Sequence, residues 1–393
     1  MKPATLRKVA GMTLIELMIA LLIGIILVLG LVQIFSASRT AYQLSEGLAR
    51  VQENGRFAID YLQRDIRMAG HFGCVNDQSH MLADPSGLAT TFAALPTSAP
   101  TNEALRFNMS VQGFEANETG PGAAVVLSAP AAGWGAPFAG SAIDAATVGN
   151  RVNGSDIIVL RYLMPEGVPI TGVGGTPDLP SFQFDSSRWE VLRSGVTNPG
   201  LFGVADCLNA TVFQASAASA GTITVAGTAP LNVSAFTQVY TPGQANLYRA
   251  ESIIYYVGNN GNAGRSLYRV RYAATPAGAG AYGAPEELVE GIENMQILYG
   301  FDRQTNTSLP PTGYIDNQSV ALTGAASTPE RWRRAGAVQV GLLAVSPNPA
   351  AAPTPQAGNL PVSQGVQFTP PVDGRFRSVY QTTIAVRNRL YGN

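Results

Sequence analysis

Hydrophobic residues are unevenly spread along this chain. From Met12 to Phe35 they run together for 24 residues, and between Leu17 and Val32 no side chain is charged or strongly polar. As an α-helix this run would reach about 36 Å, enough to cross a bilayer core of about 30 Å. The pattern then changes. Apolar or small residues recur at Leu44, Leu48, Val51, Gly55, Ile59, Leu62, Ile66 and Ala69, at steps of three and four. That period marks one face of a helix. Arg50, Glu53, Arg56, Asp60, Arg64 and Arg67 fall on the opposite face. No proline lies between Pro3 and Pro85, and Gly70 and Gly73 supply the stop signal. The pattern predicts one helix over 13–69, about 85 Å long. Its first half is apolar all round and its second half is amphipathic. A coiled coil over 44–69 is the alternative, with a seam interrupted by Gly47 and Gly55.

Farther on the period falls to two. Tyr268, Val270 and Tyr272 alternate with Arg269 and Arg271. Met295, Ile297, Tyr299 and Phe301 alternate with Asn294 and Gln296. Phe376, Tyr380, Ile384 and Val386 oppose Arg377, Gln381 and Arg387. These segments predict half-buried antiparallel strands, with further strands over 155–163, 251–257 and 336–346. The stretches 85–150 and 165–245 are rich in Ala, Gly, Pro, Ser and Thr. They read as elaborated loops or as a small inserted β-subdomain. One helix laid across an antiparallel sheet, an α+β architecture, fits the whole pattern.

Composition sharpens this. Of 393 residues only 13% are charged, about half the usual share, while 46% are hydrophobic. A net charge of −1 excludes a disordered polyelectrolyte and argues against a basic nucleic-acid binder; no direct nucleic-acid site is expected. The single long apolar run excludes a polytopic membrane protein. The only lysines are Lys2 and Lys8, which with Arg7 give the first 11 residues a charge of +3. Such a flank stays cytoplasmic and sends the C-terminal bulk across the membrane. A secretory signal peptide would need a shorter run; Ser36-Ala37-Ser38 is the one weak cleavage site. A plain signal anchor would have no use for Glu16, an acid inside the run that is costly there without a partner.

A short basic leader, then Gly11-Met12-Thr13-Leu14-Ile15-Glu16 and an apolar helix, resembles the class III signal of type IV prepilins and type II secretion pseudopilins. The resemblance implies that a prepilin peptidase cuts after Gly11 and methylates the new amine of Met12. It also implies that Glu16 serves assembly by meeting such an amine on a neighbouring subunit. Met12 departs from the phenylalanine most frequent at that position. Three further strings resemble PilW-type minor pilins of the type IV pilus: Gly55–Cys74, Glu287–Gly300 and Val379–Arg389.

The implied fold is pilin-like. A leader over 1–11 precedes a transmembrane and filament-core helix over 12–36, an amphipathic helix over 37–70 and a periplasmic β-rich head over 71–393. Insertions of the head span about 80–150 and 165–245. The implied function is that of a low-copy minor pilin that primes pilus assembly, supporting twitching motility, adhesion or DNA uptake. Its partners would be the prepilin peptidase, other minor pilins, the major pilin, the inner-membrane assembly platform and a tip adhesin. It would sit in the inner membrane as a single-pass protein and then in the filament. A type II secretion pseudopilin and a membrane-anchored periplasmic enzyme remain as alternatives.

The remaining chemistry is sparse. Cys74 and Cys207 form one disulfide in an oxidising periplasm, or else stay two free thiols. His71, Cys74 and His80 lack zinc-ligand spacing, and two histidines serve acid–base catalysis poorly. Asp156, Asp206, Asp302 and Asp373 lie near strand ends without calcium-loop spacing. Gly172–Gly175 lacks the lysine of a phosphate loop. Arg331, Arg333, Arg334 and the arginines from 375 to 389 are expected on exposed strand faces. Asn117-Glu118-Thr119 matches a glycosylation pattern that this reading does not use. No cofactor, metal or catalytic residue is expected. Removing residues 1–11 leaves 22 arginines against 26 acids, a mature charge of −4 without any lysine.

Overall fold

The computed structural model describes residues 12–77, 91–92, 103–136, 138, 143, 147–225, 236, 238–261, 264–349, 352, 356, 358–386 and 389. The leader with Gly11, together with His80 and Arg387, lies outside them.

One helix, α1, runs from Leu14 to Met68 over 55 residues, about 82 Å at 1.5 Å per residue. It ends where Gly70 takes a φ of +76°. That left-handed conformation favours glycine, and a Cβ there would also sit 2.9 Å from Asp77 Oδ1. The amphipathic half buries Gly47, Val51, Gly55, Ala58, Leu62, Asp65 and Ile66. This face agrees with the predicted stripe from Val51 onward. Leu44 and Leu48 differ, being 38% and 37% exposed; Gly47 between them is buried, but continuous cover of this face starts at Val51.

The helix lies against a four-stranded antiparallel sheet ordered Ile315–Ser319, Ile292–Asp302, Ala335–Val345 and Arg377–Ala385. Val51, Ala58, Leu62 and Ile66 of α1 share one core with Ile297, Tyr299, Val340, Leu342, Ile384 and Trp332. The Ile292–Asp302 strand departs from the half-buried expectation. Asn294 and Gln296 are 1% and 2% exposed. Segment 154–156 runs along the open edge of this strand, and the Gly154 carbonyl accepts from both amides, at 2.7 and 2.9 Å. The Asp156 N–H donates to the Met295 carbonyl at 2.9 Å. These partners make burial of the amides tolerable. A small three-stranded sheet adds a lid, its Val125, Leu127, Val366 and Phe368 packing on Leu343.

A second, 13-stranded sheet is organised by one long strand, Asn246–Asn259. Its first residues, Asn246–Arg249, pair with Leu201–Ala205. The remainder pairs with Ile157–Leu163 on one side and Arg265–Ala273 on the other. The stretch 168–224 is therefore a β-structured lobe rather than loops. Its own core gathers Phe182, Phe202, Phe213, Phe236 and Tyr240. Gly172–Gly175 lies in the hairpin strand Val168–Thr176 of this lobe, so it forms no phosphate cradle.

Gly55 governs the closest approach of α1 to the sheet. A Cβ built on it would lie 2.5 Å from the ring of Tyr380. Gly55→Val is expected to lower stability by about 1–3 kcal/mol through overpacking. Removing the ring in a Gly55→Val/Tyr380→Ala double variant should recover part of that loss. Thermal unfolding of the full chain in detergent, followed by circular dichroism, measures both. An unchanged melting temperature in Gly55→Val would sink this account of the docking.

Candidate functional site

The entrance of α1 is built by Thr13 and Glu16. Thr13 is extended, with φ −74° and ψ 151°, and forms a capping box with Glu16. The Glu16 N–H donates to Thr13 Oγ1 at 3.3 Å. In return Glu16 Oε2 accepts from the Thr13 N–H and hydroxyl, both at 3.1 Å. A carboxylate here satisfies orphan donors of the first turn and faces the positive end of the helix dipole. Met12 directly precedes the cap. Only one oxygen of Glu16 is used among the described residues.

Beyond this cap the helix is bare. The apolar stretch of α1 is 0% buried in its most hydrophobic window and is long enough to cross a membrane. Leu14, Ile15, Leu17, Met18, Ile26, Leu31 and Phe35 are all exposed large hydrophobic residues. Gly24 interrupts the bulk and leaves a shallow apolar groove between Leu17, Leu21, Ile25 and Val28. Bulky aliphatic surface around a small-residue notch suits lipid tails or a second helix.

At its other end α1 is locked to the head by polar contacts. Asp65 points inward from the helix. Tyr162 Oη and Tyr255 Oη donate to its two oxygens, and the Arg269 guanidinium lies 3.7 Å away. Burial, followed by the Asp65 charge, raises both phenols well above their usual range. The structure joins Cys74 to Cys207 with Cα atoms 4.8 Å apart, tying the end of α1 to the lobe. Asp77, three residues past Cys74, takes two 3.0 Å contacts from Arg389 Nε and further bonds from Arg389 Nη2 and the Ser110 hydroxyl. Arg389 also donates to the carbonyls of Trp332 and Ala335, at 2.7 and 2.8 Å.

The expectation of exposed arginines is therefore corrected. Arg333, Arg334 and Arg389 are buried. Arg334 caps the carbonyls of Gln304 and Leu309, at 2.8 and 2.6 Å. Arg377 grips Glu293 and Asp373 with side-chain bonds of 2.6 to 3.0 Å. Of these only Arg377 lies on a strand; Arg333 and Arg334 follow the short helix Pro329–Trp332 and Arg389 lies past the last strand, so strand alternation does not describe them.

The other candidate residues have structural roles. His71 Nδ1 lies 2.9 Å from the Leu163 carbonyl, and burial lowers its pKa. Asp206 accepts from the N–H groups of Leu208 and Asn209 in a turn. Asp302 pins a loop through Gln304, Thr312 and Gly313. Asn117 Nδ2 donates to the Ala132 carbonyl. No group of three metal-ligating side chains occurs among the described residues. One carboxyl pair that composition could not reveal is Glu115 with Asp156. Asp156 accepts from the N–H groups of Ala116 and Ile297 at 2.9 and 2.8 Å. Burial first, then the Glu115 charge, pushes its carboxyl well up. Burial raises Glu115 from 4.5 to about 7. The phenol of Tyr299 faces the pair and is likewise raised by burial.

Comparison with known families bears on two parts of this architecture. The family model for Type IV Pilus-assembly protein W matches residues 254–388, which hold the four-stranded sheet and the last six residues of the long central strand. The model for the prokaryotic N-terminal methylation motif matches residues 6–32, around the capped entrance of α1. No curated protein and no solved structure matches the chain.

Breaking the disulfide in Cys207→Ser is expected to change mobility on non-reducing gels. It should also cost about 2–5 kcal/mol, since it opens a loop 133 residues long. A melting curve identical to wild type would refute the bracing role. The carboxyl pair gives a pH signature. Because folding raises Glu115 above its ordinary value, the stability it contributes is full in acid and declines as pH climbs from 4.5 to about 7. The slope is at most ~1.4 kcal/mol per pH unit for one proton. His71, whose pKa is lowered, slopes the opposite way. The difference between wild type and Glu115→Gln isolates the carboxyl; a pH-independent difference would refute its protonation.

Proposed function

We propose that this chain, a PilW-type, pilin-like protein, primes assembly of the type IV pilus from its tip as a low-copy minor pilin. It is a type IV pilus-related, membrane-anchored protein of a structural rather than catalytic family. The observation that carries the finer reading is the bare apolar half of α1 with a single acid at its entrance.

The mechanism follows from that geometry. Before assembly the bare half lies in the inner membrane as a single span, with the head in the periplasm. The prepilin peptidase removes the leader after Gly11 and methylates Met12. Extraction from lipid then requires another apolar cover, and the helices of neighbouring subunits supply it. In that dry bundle Glu16 exchanges its internal Thr13 partners for the cationic amine of a neighbour. A buried, hydrogen-bonded ion pair is a poor source of stability but a good device for fixing register. The axial position of the subunit is set by this pair, and the identity of its partners by the head. Those partners are the major pilin, other minor pilins, the assembly platform and a tip adhesin. Twitching motility, adhesion and DNA uptake depend on this chain through the filament. A type II secretion pseudopilin would share the leader and helix, and the match over 254–388 favours the pilus.

Mass spectrometry of the mature protein should find a methylated amine on Met12; a chain beginning elsewhere removes the processing step. Glu16→Ala should be cleaved normally yet reduce surface pili at least tenfold, as should deletion of the gene. Normal piliation in the deletion strain would rule out the priming role.

A further inference from the structure

The lobe and the large sheet leave between them a pocket of about 370 Å³, walled by residues 196–201, 249–251 and 271–275. Two guanidinium groups line it. Arg249 and Arg271 both donate through Nη1 to the same oxygen of Glu251, Oε1, with Arg271 at 3.0 Å. The Arg249 and Glu251 side chains are buried, whereas that of Arg271 is 45% exposed. Arg249 Nε is buried and has no acceptor among the described residues. Arg269, on the strand of Arg271, does not share this deficit, because Asp65 and Glu286 both hold it.

Arg249 and Glu251 form a buried neutral pair, so the pocket wall carries a charge of +1 on the half-exposed Arg271 at its mouth. A monoanion would cancel it, whereas a phosphate dianion would leave −1 in its place. Guanidinium groups match the two oxygens of a carboxylate. Pro199, Leu201, Ala250 and Ala274 add apolar walls, which suit a hydrocarbon stem. We propose that this pocket binds a carboxylate carried on a short aliphatic stem, bridged by Arg249 and Arg271. That group has two sources: a glutamate side chain of a partner protein, or a free short-chain acid. Residues 196–201 lie outside the matched family span, so the pocket is not a feature of that span alone. Binding here does not depend on the pilus reading and is testable without assembly.

The test is isothermal titration of the full chain in detergent micelles. The probes are butyrate and N-acetyl-glutamate methylamide, at ionic strength matched with sodium chloride. Saturable binding with a Kd on the order of 1 mM is expected for such small ligands. The neutral N-acetyl-glutamine methylamide should bind at least tenfold more weakly. Arg271→Gln should weaken the acid at least tenfold. Thr197→Trp, which fills the pocket from the exposed loop without touching a charge, should abolish binding. Tighter binding of the blocked glutamate identifies a partner side chain, and tighter binding of butyrate a free acid. Three results would overturn the proposal: no saturation by either acid, equal binding of the glutamine analogue, or undiminished affinity in folded Arg271→Gln.

Discussion

An apolar helix that its own chain does not cover imposes the main constraint on this protein. Burial of aliphatic surface is the dominant favourable term in folding, and here more than a third of α1 is left out of it. The stretch has to be covered by lipid or by other helices, so the molecule is complete only in company. The head must hold the remainder of α1 firmly enough for the bare part to be handed from one environment to another. Gly55 lets the sheet approach the helix backbone closely, and Asp65 ties the helix to Tyr162 and Tyr255. The disulfide and the Arg389–Asp77 contact close the structure just past the helix end.

The low charge content takes on a different meaning from this. Charges are scarce, yet several are spent inside. Arg161, Arg334 and Arg389 are among the largest fully buried side chains. Arg161 donates to the carbonyls of Met109 and Glu103, and Arg334 to those of Gln304 and Leu309. Each guanidinium has five donors, so one side chain can satisfy several loop carbonyls that no ladder reaches. A head rich in irregular segments needs such groups, because a buried carbonyl without a donor is expensive. Arginine suits the task better than lysine, being planar, permanently charged and more weakly hydrated. Beyond Lys8 the chain has no lysine at all.

Much of the architecture was legible from periodicity. The helix and the strand cores around Tyr268, Ile297 and Val340 follow local rules that act within a few residues, whereas the Thr13–Glu16 cap was not read from the sequence. What was not legible depends on contacts between distant segments. Asn294 and Gln296 read as solvent-facing until Gly154 is seen beside them, 140 and 142 positions earlier. Arg389 reads as an exposed terminal arginine until Asp77 meets it across 312 positions. The lobe at 168–224 was ambiguous for a different reason. Its longest strand, Val168–Thr176, is interrupted by three glycines, and its aromatic core is collected from separate segments. Glu115 and Asp156 gave no signal, since what sets their chemistry is burial, and neither sits in a recognisable motif.

The long strand Asn246–Asn259 separates two demands that usually compete within one surface. Its later residues lie in the core that receives α1, so a change there reaches the helix. Its first four residues carry the lobe, whose aromatic core is distinct from that of the helix. Variation can therefore accumulate in the lobe while the helix seat stays constant. A lineage could retune what the lobe meets without renegotiating how the helix is held.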